Sequence, residues 1–243
     1  MTRLDGLRAA LRALPPADWD AYLRANSGLP GPRANLELVR AFGEEATPAQ
    51  VHEAAGSGDE YLALCGAAGL GRLLAEGEDA TADATADATA ALRGLADDDR
   101  WRVREGVAMG LQRLGDADLS RMLDLAASWA ADPSPLVRRA AVAGVCEPRL
   151  LRDAGAAARA LDLLDTVTAT ITPDPAGRVL RKALGYCWSV AVAALPGPGF
   201  DRLARWAASD DPDVRWVVRE NLKKARLTRA DAGRVAGLRA AVG

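Results

Sequence analysis

Histidine is almost missing from this chain: His52 is the only one in 243 residues, standing alone in Val51-His52-Glu53. A histidine-rich metal centre and a recurring imidazole base are thereby excluded. Aromatic residues make up only 5% of the chain, which disfavours sheets built on aromatic cross-strand pairs and favours closely packed alanine- and leucine-rich helices. The three cysteines, Cys65, Cys146 and Cys187, are isolated and each falls in an apolar helical pattern. They read as reduced core thiols rather than as a metal cluster, a disulfide framework or a nucleophile. No apolar run approaches the ~18 residues of a membrane span, and the N-terminus lacks the basic-then-apolar order of a signal peptide. No glycine-rich phosphate loop and no nucleophile–base pair stands out, and no cofactor is implied. The expectation is a soluble, cytoplasmic, monomeric protein.

Hydrophobic residues reach 49%, enough to build a core rather than a disordered chain. Charge is unevenly spread beneath the net −2. Residues 1–100 carry 9 basic and 17 acidic side chains, residues 101–200 carry 12 and 10, and residues 201–243 carry 10 and 6. The C-terminal half could therefore meet a polyanion, although the overall pI of about 5.6 does not demand one.

One stretch recurs. Asp132-Pro133-Ser134-Pro135-Leu136-Val137-Arg138-Arg139-Ala140-Ala141 opens with a turn signal and becomes an apolar stripe at helical spacing. Asp174-Pro175 with Val179-Leu180-Arg181-Lys182 repeats it, as does Asp211-Pro212 with Val214-Arg215-Trp216, and Asp98-Asp99-Arg100-Trp101 repeats it without proline. Taking Arg104, Arg138, Arg181 and Arg219 as equivalent gives spacings of 34, 43 and 38 residues. Such periods with helix patterning predict antiparallel helix pairs stacked in a right-handed solenoid. The whole of 1–243 is expected to form one helical-repeat domain: divergent helices over 1–58, repeats over 59–225 and a capping helix over 226–243.

Along the chain, Leu4, Leu7, Leu11 and Leu14 predict a first helix ending at Pro15-Pro16. Residues 17–26 and 35–42 predict two more, and Thr47-Pro48-Ala49-Gln50 has the composition of a capping box with proline at the first helical position. Residues 59–74 predict a longer helix whose Gly66 and Gly69 let a neighbouring backbone approach. The low-complexity run 79–90 is expected to begin as an extended loop. Helices over 119–130 and 136–145, 154–171 and 178–194, and 200–208 and 214–225 are expected to pair, with Pro196-Gly197-Pro198-Gly199 as a chain break. A last helix spans 230–241. That makes twelve or thirteen helices, with Val107, Leu111, Val137, Ala141, Val145 and Leu222 buried.

Residues two positions beyond the first valine of each second helix point ~200° away from the buried stripe. They extend into an expected ladder across a concave face: Trp101, Glu105, Gln112, Arg139, Arg181, Trp188, Trp216, Arg219 and Lys223. Arginine grips phosphate or carboxylate in a fork, and tryptophan stacks on bases or peptide. Arg138 and Arg215 have a competing structural use, bonding Asp132 and Asp211 in the preceding turn.

The Asp-Pro…Val-Arg pattern over about 59–225 resembles the HEAT-repeat superfamily. More distantly, Val137-Arg138-Arg139 and Arg181-Lys182-Ala183-Leu184-Gly185 resemble segments of the all-helical DNA alkylation repair glycosylases. That resemblance implies duplex DNA in a concave basic groove and excision of cationic N3- and N7-alkylpurines. It puts Trp101 and Glu105 in the places of the family's tryptophan and aspartate, Arg138 or Arg139 in that of its groove arginine, and Tyr186 near its second tryptophan. Glu105 is longer than that aspartate, Tyr186 replaces a tryptophan, and residues 147–173 need an insertion. A carboxylate could stabilise the sugar cation that develops as the glycosidic bond breaks. The first expectation is nonetheless a binding scaffold without catalysis, its partner a protein or duplex DNA; the second is a DNA-binding protein or glycosylase.

Overall fold

The computed structural model describes residues 2–77 and 81–242. Among these residues every regular element is helical and none is a strand. The chain divides into two compact units, Met1–Ala117 and Asp118–Gly243.

In the first unit, α1 (Arg3–Ala13) starts at a capping box in which Thr2 and Asp5 satisfy each other's backbone N–H. A 3-10 turn (Pro16–Asp18) leads into α2 (Trp19–Ala25), followed by α3 (Leu36–Glu45), capped by Asn35, and α4 (Pro48–Ala55). The capping box expected at Thr47 is present in full, with Gln50 returning to the Thr47 N–H and Pro48 opening the helix. Asp59 caps α5 (Glu60–Ala75), Thr81 caps α6 (Ala82–Ala96), and α7 spans Trp101–Ala117. The helix of α6 thus takes up most of the low-complexity run; Asp79 and Ala80, placed in a loop by the sequence reading, lie outside the described residues.

Helices α1, α3, α5 and α7 pack in succession, with α4 and α6 against α5. Glycine sets the spacing between them. A Cβ on Gly71 would lie 2.2 Å from the Gly110 carbonyl oxygen, and one on Gly66 would lie 2.1 Å from the Ala55 nitrogen. The backbone approach expected at Gly66 is therefore real, and it recurs between α5 and α7. Arg72 closes the end of α3 by donating Nε to the Gly43 carbonyl at 2.6 Å and Nη2 to that of Ala46, carbonyls the helix leaves unpaired.

In the second unit, α8 (Leu119–Ala130) pairs with α9 (Pro135–Val145), and α10 (Ala154–Thr168) with α11 (Pro175–Ala194). Next, α12 (Pro196–Ala207) pairs with α13 (Pro212–Leu222), and α14 (Ala225–Ala230) and α15 (Ala232–Val242) follow. The first helices α8, α10 and α12 touch in sequence, and so do the second helices α9, α11 and α13. Fifteen α-helices are described rather than twelve or thirteen. Val107, Leu111, Val137, Ala141, Val145 and Leu222 are all buried, as the apolar stripes require.

Two local readings need correction. Pro196-Gly197-Pro198-Gly199 is not a break but the first turn of α12, and Leu195 serves as the last cap of α11 and the first of α12. Prolines there cost no intrahelical bond, because the first-turn N–H groups have no partner in any case. Gly199 is needed for contact: its Cβ would fall 2.8 Å from the Val192 Cα.

The repeat register also shifts. Pro135, Pro175 and Pro212 each occupy the first position of a second helix, and Trp101 does so in α7, giving spacings of 34, 40 and 37 residues. The cap in the α9 repeat is Ser134, not Asp132, whose carboxylate instead accepts the Ser134 N–H at 2.9 Å. The fourth helical residues are then Arg104, Arg138, Arg178 and Arg215, so Arg181 and Arg219 are not the equivalents of Arg104 and Arg138.

Candidate nucleic-acid interface

The arginine at the fourth helical position is a structural strut. Arg104 donates to the Asp98 and Asp99 carbonyls, the latter at 2.9 Å; Arg138 donates to the Asp132 carbonyl at 3.0 Å and Arg178 to that of Pro173 at 2.6 Å. The structural use anticipated for Arg138 is present, through the backbone of Asp132. Arg215 differs and donates to the Val242 carbonyl at 3.1 Å, tying α13 to the end of α15.

Several members of the expected ladder are committed inside the second unit. Arg181 is ion-paired with Asp213, and its guanidinium lies 4.6 Å from the centre of the Trp216 ring. Trp216 in turn rests on Gly185, whose Cβ would sit 3.0 Å from Cζ3. Arg219 donates to the Val242 carbonyl at 3.4 Å, and exposed Lys223 pairs with Glu220. Arg139 is half-buried on α9 and has an interaction partner. Trp188 departs furthest from the expected exposed ladder. It is fully buried, with Nε1 donating to Thr168 Oγ1 at 3.0 Å, because α11 is packed by α9, α10, α12, α13 and α14 and has little surface left.

The surface that α11 keeps is the stripe Arg178, Lys182 and Tyr186, one turn apart from each other and all exposed. Across from it, Arg226 of α14 places its guanidinium 5.0 Å from the Tyr186 ring centre. No acidic residue occurs anywhere in α11, and none between Lys223 and Arg229. Cationic charge beside a flat, 43% exposed phenol ring is therefore the character of this face. Such a face can hold phosphate oxygens and stack on a base or sugar. Arg178, Lys182 and Arg226 were missed as site residues by the sequence reading. The signal available was the absence of any carboxylate in 175–194.

In the first unit, Trp101 begins α7 and is 51% exposed, with the Arg102 guanidinium 4.4 Å from its ring centre. Arg102 is itself held by Glu60 at 3.1 Å and by the Gly31 carbonyl at 3.3 Å. Glu105, one turn along, is half-buried and makes no ion pair with the described residues. Among the described residues no three His, Cys, Asp or Glu side chains gather as metal ligands would. None of the described helices is long and apolar enough to cross a membrane.

Fold and surface together define an all-α protein of packed helix pairs carrying a cationic–aromatic stripe. No family model matches the chain, and no curated protein matches it. Among solved structures it is similar to an engineered protein, 14% identical over 96% of this chain and all of that one, with a TM-score of 0.41.

Proposed function

We propose that the chain is a HEAT-like binding module without catalysis of its own, and that the second helices of its second unit, α9, α11 and α13, present a face to duplex DNA. The recurring first-position prolines, the arginine struts and the side-by-side second helices support the HEAT-like reading. The observation that carries the partner is the Arg178–Lys182–Tyr186 stripe with Arg226 upon it, on a helix free of carboxylates. Phosphates are recognised by such cations without regard to base sequence, and each one neutralised releases counterions. The test is anisotropy of a labelled duplex with the full chain at low and raised salt. Binding that falls steeply with salt and varies little with sequence supports the proposal; no binding at low salt would move the assignment to a protein partner.

A second reading, a glycosylase acting on alkylated purines, draws on one feature of the first unit: Glu105 is a carboxylate with no cation partnered to it among the described residues, one turn from an exposed tryptophan. Such a group is able to stabilise positive charge on a sugar. The Arg102 guanidinium over Trp101 counts against stacking of a second cation there, and for this reason binding without excision is the primary reading.

A further inference from the structure

Among the described residues of the second unit, Tyr186 is the one large hydrophobic side chain left exposed, at 43%. Phosphate binding alone gives that ring no task. Arg178 and Lys182 stand two turns and one turn before it on α11, each step ~6 Å along the helix, so both can reach phosphates of a single strand. Lys182 is exposed and has no ion pair with the described residues. Arg178 gives one N–H to the Pro173 carbonyl and has further donors in its guanidinium. Arg226 lies 5.0 Å from the centre of the Tyr186 ring, and its Nη2 is 3.5 Å from the phenol oxygen. Both carboxylates of the neighbouring α13 are neutralised: Asp213 pairs with Arg181, and Glu220, packed beside Gly185, pairs with Lys223. No unpaired acid of α11 or α13 therefore opposes a phosphate beside Tyr186. In a duplex each base lies between its neighbours and offers only its edges, whereas an aromatic side chain stacks on the face of a base that is unpaired.

We propose that this face takes unpaired nucleotides adjoining a duplex. Arg178 and Lys182 hold phosphates of the protruding strand, and one base stacks on the part of the Tyr186 ring that water reaches, with Arg226 holding the ring in place. The inference rests on the duplex reading above and narrows it, from any duplex to one with an unpaired end. Stacking is indifferent to base identity, because every base has a π-face. A purely apolar partner would bring no anion to these cations, whereas a nucleotide supplies both the anion and the flat ring.

The full chain is titrated at low salt with three labelled DNAs: a blunt duplex, the same duplex with a tail of four deoxyadenosines, and that duplex with a tail of four abasic nucleotides. The two tails carry equal phosphate charge and differ only in their bases. They are placed on the 3′ end in one set and on the 5′ end in another. At one of the two ends the adenine tail should bind roughly five- to fiftyfold more tightly than the abasic tail, in keeping with one stacked base. Tyr186→Leu should bring that ratio close to one, and Tyr186→Phe, which keeps the ring, should preserve it. If the blunt duplex binds while adenine and abasic tails bind alike at both ends, the inference is overturned and the duplex reading stands. Failure of the blunt duplex and of every tailed one to bind removes the duplex reading and this inference with it. An undiminished ratio in Tyr186→Leu also overturns the inference, since the base would then sit elsewhere. The comparison of tails uses wild-type protein, so it stands even if the leucine variant does not fold.

Discussion

The side-chain oxygen of Asn221 accepts the backbone N–H of Ser189 at 2.7 Å, in the middle of α11 and fully shielded from water. The same amide donates to the Leu184 carbonyl at 2.9 Å and to the Val217 carbonyl of its own helix at 2.8 Å. A polar side chain from α13 is thus threaded into the backbone of its neighbour, with both N–H donors and the carbonyl oxygen engaged. Replacing Asn221 with Leu would strip these partners from buried backbone groups and force a branched side chain among them. A loss of about 3 kcal/mol is expected, read as a lower denaturation midpoint in urea, since each orphaned buried group costs ~1–3 kcal/mol. An unchanged midpoint would show that α11 closes its own hydrogen bonds when Asn221 is gone.

Glycines on α5 and α6 should respond in opposite directions. A Cβ at Gly71 would overlap the Gly110 backbone of α7, so Gly71→Ala is expected to destabilise by about 3 kcal/mol through overpacking. Gly94 has nothing within 4 Å of its would-be Cβ and lies inside a helix. Gly94→Ala should therefore be neutral or stabilise by up to about 1 kcal/mol. Thermal melts of the two single variants provide the comparison, and a matched loss in both would contradict the close approach of α5 and α7.

On the α11 face, Lys182→Ala and Arg226→Ala should each weaken duplex binding across unrelated sequences. Each should also reduce the magnitude of the slope of log affinity against log salt, by roughly 0.9 if one phosphate contact is lost. Arg181→Ala should act differently. Its guanidinium is spent on Asp213 and Trp216, so stability should fall while the salt slope stays near the wild-type value. A slope that moved with Arg181 and not with Lys182 would place the contact elsewhere on α11.

Glu105 offers the test of chemistry. If the chain excises alkylated bases, Glu105→Gln should abolish release from an N7-alkylguanine duplex while leaving duplex binding intact. Equal excision by both proteins would remove this carboxylate from the reaction. Release by neither, from folded protein that still binds, is the outcome expected of a module without catalysis. A carboxylate displaced on the order of 1 Å from its working position can lose roughly a hundredfold in rate, and Glu105 is one methylene longer than the aspartate that the glycosylase reading calls for.

What the chain's own residues determined is mostly local. The helix start at Thr47 was legible because a capping side chain and a first-turn proline act over three or four residues, whereas α11 and α13 begin at Pro175 and Pro212, ahead of the expected 178 and 214. The buried stripes through Val107, Leu111, Val137 and Ala141 were legible because burial imposes a 3.6-residue period on sequence. What remained beyond local reading was which side of an already amphipathic helix stays open. By periodicity Arg181 and Trp188 should share an exposed arc, yet α11 is surrounded by five helices, and only Arg178, Lys182 and Tyr186 reach water together. The partners that hold Arg181 and Asn221 lie 32 residues away in sequence, at Asp213 and Ser189 respectively. Neither pairing leaves a mark in the spacing of nearby residues, because it depends on how two helices meet rather than on how either one forms.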